Sequence, residues 1–384
     1  MNPLVEAAEA RRRALVDDLT AYVQLETPSD DRAALDEGLA WVRTYLEAHL
    51  GAPEAERAVD GAPHGDVAVL DWAAVNGGSG AVAVLCHYDT VWPLGTLVDW
   101  PVSIDGDRLT GPGAFDMKAG LVQVAHALAI AREQGLPLPA VRFVLNGDEE
   151  IGSPASRPVI EASVAGHDAV LVFEASAGGA LKTARKGVGL FTVTTEGVEG
   201  HAGLDPENGV SAVDEMARVI VALHDSADLA AGTSVNVGTM SGGSRANVTA
   251  GSARALVDVR VTDVDEMRRM DATFAALRPR REAAGIEVDG GWNRPVMSRG
   301  PGTAALFAIA REVAAEQGLV VEETSVGGAS DGNFAAALGL PVLDGLGAVG
   351  DGAHARHEWI SIDGLVERTA LAAGLLSRLG GGTA

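Results

Sequence analysis

Five short segments carry side chains able to bind a cation or move a proton. Leu85-Cys86-His87-Tyr88-Asp89-Thr90 ends an apolar run in a histidine and an aspartate two residues apart, a spacing that a strand presents on one face. There Asp89 can accept the second ring N–H of a metal-bound His87 and fix its tautomer. A solvated strand-end histidine is the bland alternative. Gly111-Pro112-Gly113-Ala114-Phe115-Asp116-Met117-Lys118-Ala119-Gly120 brings Asp116 to a helix start, where a carboxylate serves as an N-cap or bridges two cations through its two oxygens. Asn146-Gly147-Asp148-Glu149-Glu150-Ile151-Gly152-Ser153 places three consecutive acids after a buried run. Ligand sites of open α/β sheets lie at such strand ends, and adjacent carboxylates repel one another unless a cation compensates them. Phe173-Glu174 ends another apolar run, and Gly350-Asp351-Gly352-Ala353-His354-Ala355-Arg356-His357-Glu358-Trp359 precedes the last helix.

Each segment taken alone also reads as a turn or a cap. Together they converge: one crevice would collect His87, Asp116, Glu150, Glu174 and His354, and two histidines with three carboxylates can hold two zinc ions about 3.5–4 Å apart, as two-metal hydrolases do. Glu149 is left over, free to take a proton from water and pass it to a leaving amine.

These residues need a scaffold that gathers strand ends. Val67–Leu70, Ala81–Leu85, Val141–Leu145, Ala169–Phe173 and Pro341–Leu343 read as buried strands; Lys118–Gln134 and Gly302–Gln317 read as helices stopped by Gly135 and Gly318. The alternation predicts an α/β sheet covered on both faces. The middle of the chain has another rhythm. Leu190–Glu196, Ser234–Met240, Ala253–Thr262 and Gly285–Asp289 read as half-exposed strands, with helices over Gly209–Leu223 and Val264–Leu277. That β-α-β-β-α-β order predicts an inserted ferredoxin-like α+β domain over residues 187–297, with the outer domain split into 1–186 and 298–384. Gly327–Asn333 reads as a flexible outer-domain loop, suited to form a substrate wall.

Composition narrows the function classes. The 384 residues are 47% hydrophobic, enough for more than one core. The excess of 53 Asp+Glu over 29 Lys+Arg gives a net charge of −24, which disfavours nucleic acid and anionic membrane surfaces as partners. Cys86 is the single cysteine, so no intrachain disulfide forms. Met1–Leu19 mixes charged and apolar residues and reads as an amphipathic surface helix rather than a signal peptide. Glu174 interrupts the best candidate for a membrane span, Ala169–Ala180. A cytoplasmic protein is expected.

The set H-Y-D-T-V, G-P-G-A-F-D-M-K-A-G, N-G-D-E-E-I-G-S, F-E and H-A-R-H-E-W resembles the M20 metallopeptidases, in particular their glutamate carboxypeptidase branch. The resemblance implies a mixed-sheet zinc-peptidase catalytic domain and a lid and dimerisation domain. It implies two Zn2+ per chain, with Co2+ or Mn2+ as substitutes, held by His87, Asp116, Glu150, Glu174 and His354. Asp89 becomes the supporting acid and Glu149 the general base. The family's last ligand precedes a Glu-aromatic pair by four residues, which favours His354, with His357 three residues on as the competing ligand. Gly200-His201-Ala202-Gly203 matches a lid loop whose histidine reaches a partner subunit's site, where it can stabilise a tetrahedral oxyanion. An exposed loop histidine is the alternative. Asn247, Arg260 and Arg294 are the candidate substrate contacts, an arginine being able to clamp a carboxylate bidentately. Surface ion pairs are the other reading of both arginines. The expected enzyme cleaves an amide beside a free carboxylate in a short peptide or N-acyl amino acid, as a homodimer joined through the lid. The competing readings are an N-acyl-amino-acid deacetylase or desuccinylase and, from another class, a non-catalytic zinc or amino-acid carrier. An unligated Glu149 argues against the carrier.

Overall fold

The computed structural model describes residues 2–381. The first residue of the expected N-terminal helix and the last three of the expected outer domain therefore lie outside the described residues. The chain divides into two compact units. One comprises the residues up to Ala184, Arg299–Val326 and the residues from Ser330 on; the other is Arg185–Ser298 with Gly327–Ala329.

The first unit opens with helices α1 (Pro3–Ala10), α2 (Arg12–Val23) and α3 (Arg32–Leu50). The amphipathic N-terminal segment is thus two helices broken at Arg11 rather than one. Strands β1 (Ala55–Val59), β2 (Val67–Trp72) and β3 (Ala81–His87) follow, then α4 (Thr96–Asp99), β4 (Ser103–Asp105) and β5 (Arg108–Thr110). Next come α5 (Ala119–Glu133), β6 (Ala140–Asn146), α6 (Arg157–Val164), β7 (Ala169–Val172) and β8 (Leu181–Arg185).

The second unit contains β9 (Gly187–Glu196), α7 (Ala212–Asp225), β10 (Ser234–Gly242), β11 (Ser252–Val261), α8 (Val264–Ala275) and β12 (Gly285–Arg294). The chain returns to the first unit through α9 (Pro301–Glu316), β13 (Glu323–Val326), α10 (Gly332–Ala337), β14 (Val342–Leu343), β15 (Gly350–Asp351), β16 (Trp359–Ser361) and α11 (Ile362–Gly380).

The main sheet of the first unit has the order β1-β2-β6-β3-β7-β14. Strands β6, β3, β7 and β14 run parallel, while β1 and β2 are antiparallel additions. Parallel strands are buried on both faces and so read as unbroken apolar runs; β3 and β7 are buried along nearly their whole length. Helix α5 is buried continuously from Ala119 to Ala131 and packs against α11, as expected of a helix that is apolar all round. A second, four-stranded sheet, β15-β16-β5-β4, joins strands of two or three residues. No sequence periodicity marks strands that short.

The second unit orders its strands β10-β11-β9-β12, all antiparallel, which is the ferredoxin-like arrangement. Phe191, Val193, Ala255, Val257 and Val259 face inward and form a core with Met216, Val219, Leu223, Met270 and Phe274 of α7 and α8. Leu190 and Leu256 point the other way and are exposed. Ser211 and Asp263 cap the two helices by accepting the N–H of Asp214 and Glu266, and the Ser211 cap places the start of α7 later than the apolar periodicity does. The Gly327–Asn333 loop does not belong wholly to the outer domain. Its first three residues go with the second unit, where the Arg185 guanidinium donates to the carbonyls of Gly328 and Ala329 at 3.2 and 3.3 Å. Among the described residues no helix is long and apolar enough to cross a membrane.

Candidate active site

Strands β6, β3 and β7 end on one edge of the main sheet, and each delivers an acid or a histidine there. His87 is the last residue of β3 and pairs in register with Asn146, the last of β6. Beyond Asn146 the chain passes Gly147 and Asp148 into one tight turn, Glu149–Ile151. Phe173 and Glu174 follow β7 directly. Helix α5 approaches this strand end so closely that a Cβ on Gly120 would lie 1.9 Å from the Phe173 carbonyl oxygen. Only glycine fits there.

The small sheet supplies the other two residues. Thr110 at the end of β5 pairs with Trp359 at the start of β16, so the loop running to Asp116 and the β15–β16 hairpin bearing His354 leave the sheet side by side. His354 has a left-handed backbone, φ 60°. Asp116 is no N-cap: its backbone is extended (φ −119°, ψ 97°), and α5 is preceded by Lys118 with no side-chain cap.

These elements build two half-sites that share one carboxylate. His87 Nε2 lies 3.3 Å from Asp116 Oδ1 and 3.2 Å from Glu174 Oε1. His354 Nε2 lies 3.4 Å from Asp116 Oδ2 and 2.9 Å from Glu150 Oε2. Asp116 therefore turns one oxygen to each histidine. A Glu149 oxygen comes within 4.8 Å of ligand atoms of His87 and Glu174. Among the described residues His357 makes no ion pair with these carboxylates.

Burial and like charge put this cluster under electrostatic load. Burial draws the His87 imidazolium toward deprotonation, yet hydrogen bonds to Asp116, Asp89 and Glu174 hold its pKa well above the ordinary value. Hydrogen bonds to Asp116 and Glu150 likewise raise His354. Glu150 is pushed up by burial and then by the Asp116 charge, while Asp116, against the pull of burial, is held down by both histidines. Mixed imidazole and carboxylate donors, with acids repelling one another, fit divalent cations of the zinc, cobalt or manganese kind.

Asp89 does more than support the histidine. His87 Nδ1 lies 3.0 Å from the backbone carbonyl of Asp89 and 3.4 Å from its Oδ1, so the nearer partner fixing the ring is main chain. The Asp89 carboxylate also accepts the N–H of Glu149 (3.3 Å) and of Glu150 (3.2 Å) and the hydroxyl of Ser29 (2.7 Å). It braces the turn that carries both glutamates. Asp148, the first acid of the triplet, faces inward and accepts the N–H of Ala155 and Ser156 at 2.8 and 3.0 Å. Asp331 binds Asn146 Nδ2 and Ser153 Oγ at 2.8 and 2.5 Å. Glu358 is fully buried and accepts the N–H of Gly113, Phe115 and Asp116. Asp148, Asp331 and Glu358 carry no ligand signature in the sequence; the acid triplet and the H-A-R-H-E-W segment are the only signals that point near two of them.

The remaining candidates lie in the second unit. His201 is exposed, and its Nδ1 accepts the N–H of Gly203 and Leu204, both at 3.1 Å; Nε2 therefore carries the proton. The Asn247 carbonyl accepts the N–H of Ala202. Arg260 is engaged by Asp258 through contacts of 2.8 to 3.2 Å, the ion-pair alternative. Arg294 is buried at the end of β12.

A further cluster in the first unit, Asp18, His49 and His126, also brings three ligand atoms within 4.8 Å. Arg11 Nη1 lies 3.3 Å from His126 Nδ1, and a guanidinium only donates, so His126 Nε2 carries the proton that Asp18 accepts at 2.8 Å. That is a satisfied hydrogen-bond network; a metal at Nε2 would have to displace the proton that Asp18 accepts.

Comparison with known proteins agrees with the geometry. Residues 83–378 match the family model described as Peptidase family M20/M25/M40. The chain belongs to this family. Carboxypeptidase G2 from Pseudomonas sp. (strain RS-16) is 31% identical over 99% of this chain and 93% of that protein. Acetylornithine deacetylase from Myxococcus xanthus is 28% identical over 89% and 92% of the two chains. The crystal structure of aminopeptidase PepT from Bacillus cereus superposes with a TM-score of 0.79 at 20% identity, covering 96% of this chain and 98% of that one. This M20 member is accordingly a hydrolase of the peptidase and amidohydrolase class.

Proposed function

We propose that this M20 enzyme is a di-metal amide hydrolase that cleaves a peptide or N-acyl bond beside a carboxylate-bearing amino acid. The observation that carries this reading is the shared Asp116, with one oxygen toward His87 and Glu174 and the other toward His354 and Glu150. His87, Asp116 and Glu174 would hold one divalent ion, and Asp116, Glu150 and His354 the other, zinc being the metal best matched to this donor set. When bound, such ions polarise a carbonyl and make water acidic at neutral pH.

The chain's own groups do the rest. Glu149, whose backbone is held by Asp89, takes a proton from the attacking water and hands it to the leaving amine. His201, with Nδ1 committed to two backbone donors, presents Nε2–H as a donor suited to an oxyanion. Arg294, Arg260 and Asn247 are the lid-side candidates for the substrate carboxylate. Arg260 would have to exchange its Asp258 partner to take that role. A homodimer formed through the second unit is part of this reading.

The glutamate carboxypeptidase reading draws on the 31% identity to carboxypeptidase G2, and the deacetylase reading on the similarity to acetylornithine deacetylase. A panel of acyl-glutamates, dipeptides and N-acetyl and N-succinyl amino acids, run on zinc-loaded protein, separates them. Highest kcat/KM on peptidyl or acyl-glutamate supports the first; preference for N-acetyl or N-succinyl diamino acids supports the second. No turnover of any amide by fully loaded protein would refute both.

A further inference from the structure

We propose that Glu358 is a positioning residue that sets Asp116 and His354 relative to one another. The side chain is fully buried and gathers four N–H donors. Oε1 accepts from Phe115 N at 2.8 Å and Asp116 N at 3.1 Å; Oε2 accepts from Gly113 N at 3.1 Å and from the Trp92 indole at 3.0 Å. Three of these donors lie in the loop that ends at Asp116, and one is the backbone of Asp116 itself.

Glu358 also closes the turn that bears His354. Its own N–H donates to the Ala355 carbonyl at 2.9 Å, and the Ala355 N–H donates to Gly352 at 2.9 Å. Gly352 is left-handed, φ 86°, and a Cβ there would lie 2.9 Å from Glu358 Cα. The His354 turn is thereby folded tightly against the residue that grips the Asp116 loop. The ladder between β16 and β5 stops at the Trp359–Thr110 pair, so beyond it the Glu358 carboxylate joins the two loops.

A carboxylate suits this place and an amide does not. Two oxygens accept two N–H groups each, whereas a glutamine in either flip turns its NH2 toward two donors. The His354–Glu150 half-site should loosen most, since both Asp116 and His354 depend on this anchor.

This inference rests on the ligand reading proposed above, and the test keeps the two apart. Zinc-binding isotherms and Co(II) absorption spectra are recorded on the full chain for the parent, Glu358→Gln, Asp116→Asn, His354→Ala and the Glu358→Gln/Asp116→Asn double variant. Far-UV circular dichroism of the metal-free proteins monitors folding. Glu358→Gln is expected to weaken the second ion by about 10- to 100-fold, the range for groups that orient metal ligands, and to change the Co(II) spectrum. In the Asp116→Asn background it should add less than it costs alone, because one of the two residues it acts through is already altered. A folded Glu358→Gln that binds both ions as the parent does, or losses that simply add in the double variant, would overturn the proposal. Should Glu358→Gln fail to fold, Glu358→Asp decides. It keeps the charge but retracts the oxygens by one methylene, and parental affinity in that variant equally overturns it. Parental binding by Asp116→Asn and His354→Ala would instead defeat the ligand reading, whatever Glu358 does.

Discussion

Replacing Asp89 by asparagine isolates the brace from the ligands. The carboxylate has two occupied sides: Oδ2 accepts Ser29 Oγ and Glu150 N, while Oδ1 accepts Glu149 N and faces His87 Nδ1. The better flip of an asparagine keeps its oxygen toward Ser29 and Glu150 and turns NH2 against the Glu149 N–H. That leaves one part-buried backbone donor opposed, a cost of about 1–3 kcal/mol, which in a chain of this size lowers Tm by roughly 1–4 °C. The consequence for catalysis should be larger than for stability. The turn carries both glutamates, and a displacement near 1 Å costs about 100-fold in rate. His87 keeps its backbone acceptor at 3.0 Å, so zinc should still bind, weakened by at most about 10- to 100-fold. The assay is kcat at saturating zinc beside thermal unfolding, with Ser29→Ala as the control that removes a single hydroxyl from the same carboxylate. Asp89→Asn with kcat near parental, or Ser29→Ala with an equal loss of kcat, would refute the bracing role.

Other perturbations separate base, interior histidine and assembly. Glu149→Gln should keep metal and fold while losing about 100- to 10,000-fold in kcat; near-parental turnover removes Glu149 from the mechanism and revives the carrier reading. Burial holds the His126 pKa down at about 4, below the ordinary histidine value of 6.5, against the partial compensation of Asp18 and with His49 and Arg11 adding to the depression. The unfolded chain therefore binds a proton that the native chain refuses between those values, so stability falls as pH drops through this window, by of order 1–3 kcal/mol. His126→Gln should flatten that part of the stability curve, and parallel curves for parent and variant would discard the account. Mixing His201→Ala with Glu149→Gln under subunit exchange should restore activity if His201 serves its partner's site; no recovery despite demonstrated exchange refutes sharing.

The parts of this molecule that were legible in the sequence are those whose chemistry resides in side chains or in long periodic runs. The buried strands β3, β6 and β7 announce themselves as apolar stretches, and the acids and histidine at their ends stand out against them. The second unit is legible because its strands alternate and its helices carry an apolar period, although that period does not mark the Ser211 cap at which α7 starts. The sheet β15-β16-β5-β4 is not, since strands of two or three residues carry no period, and it is this sheet that sets Asp116 beside His354.

The braces are hidden for a related reason. A ligand needs its own imidazole or carboxylate, which the sequence displays. A brace such as Asp89, Asp148 or Glu358 works by collecting backbone N–H groups from Glu149, Ala155 or Phe115, and every residue except proline offers one. Only half of such an interaction is written in residue identities. The other half is the path of the main chain, so an acid beside a ligand motif is ambiguous until the fold shows whether its oxygens meet a crevice or a turn. Asp148 and Glu149 are adjacent in sequence and fall on opposite sides of that division.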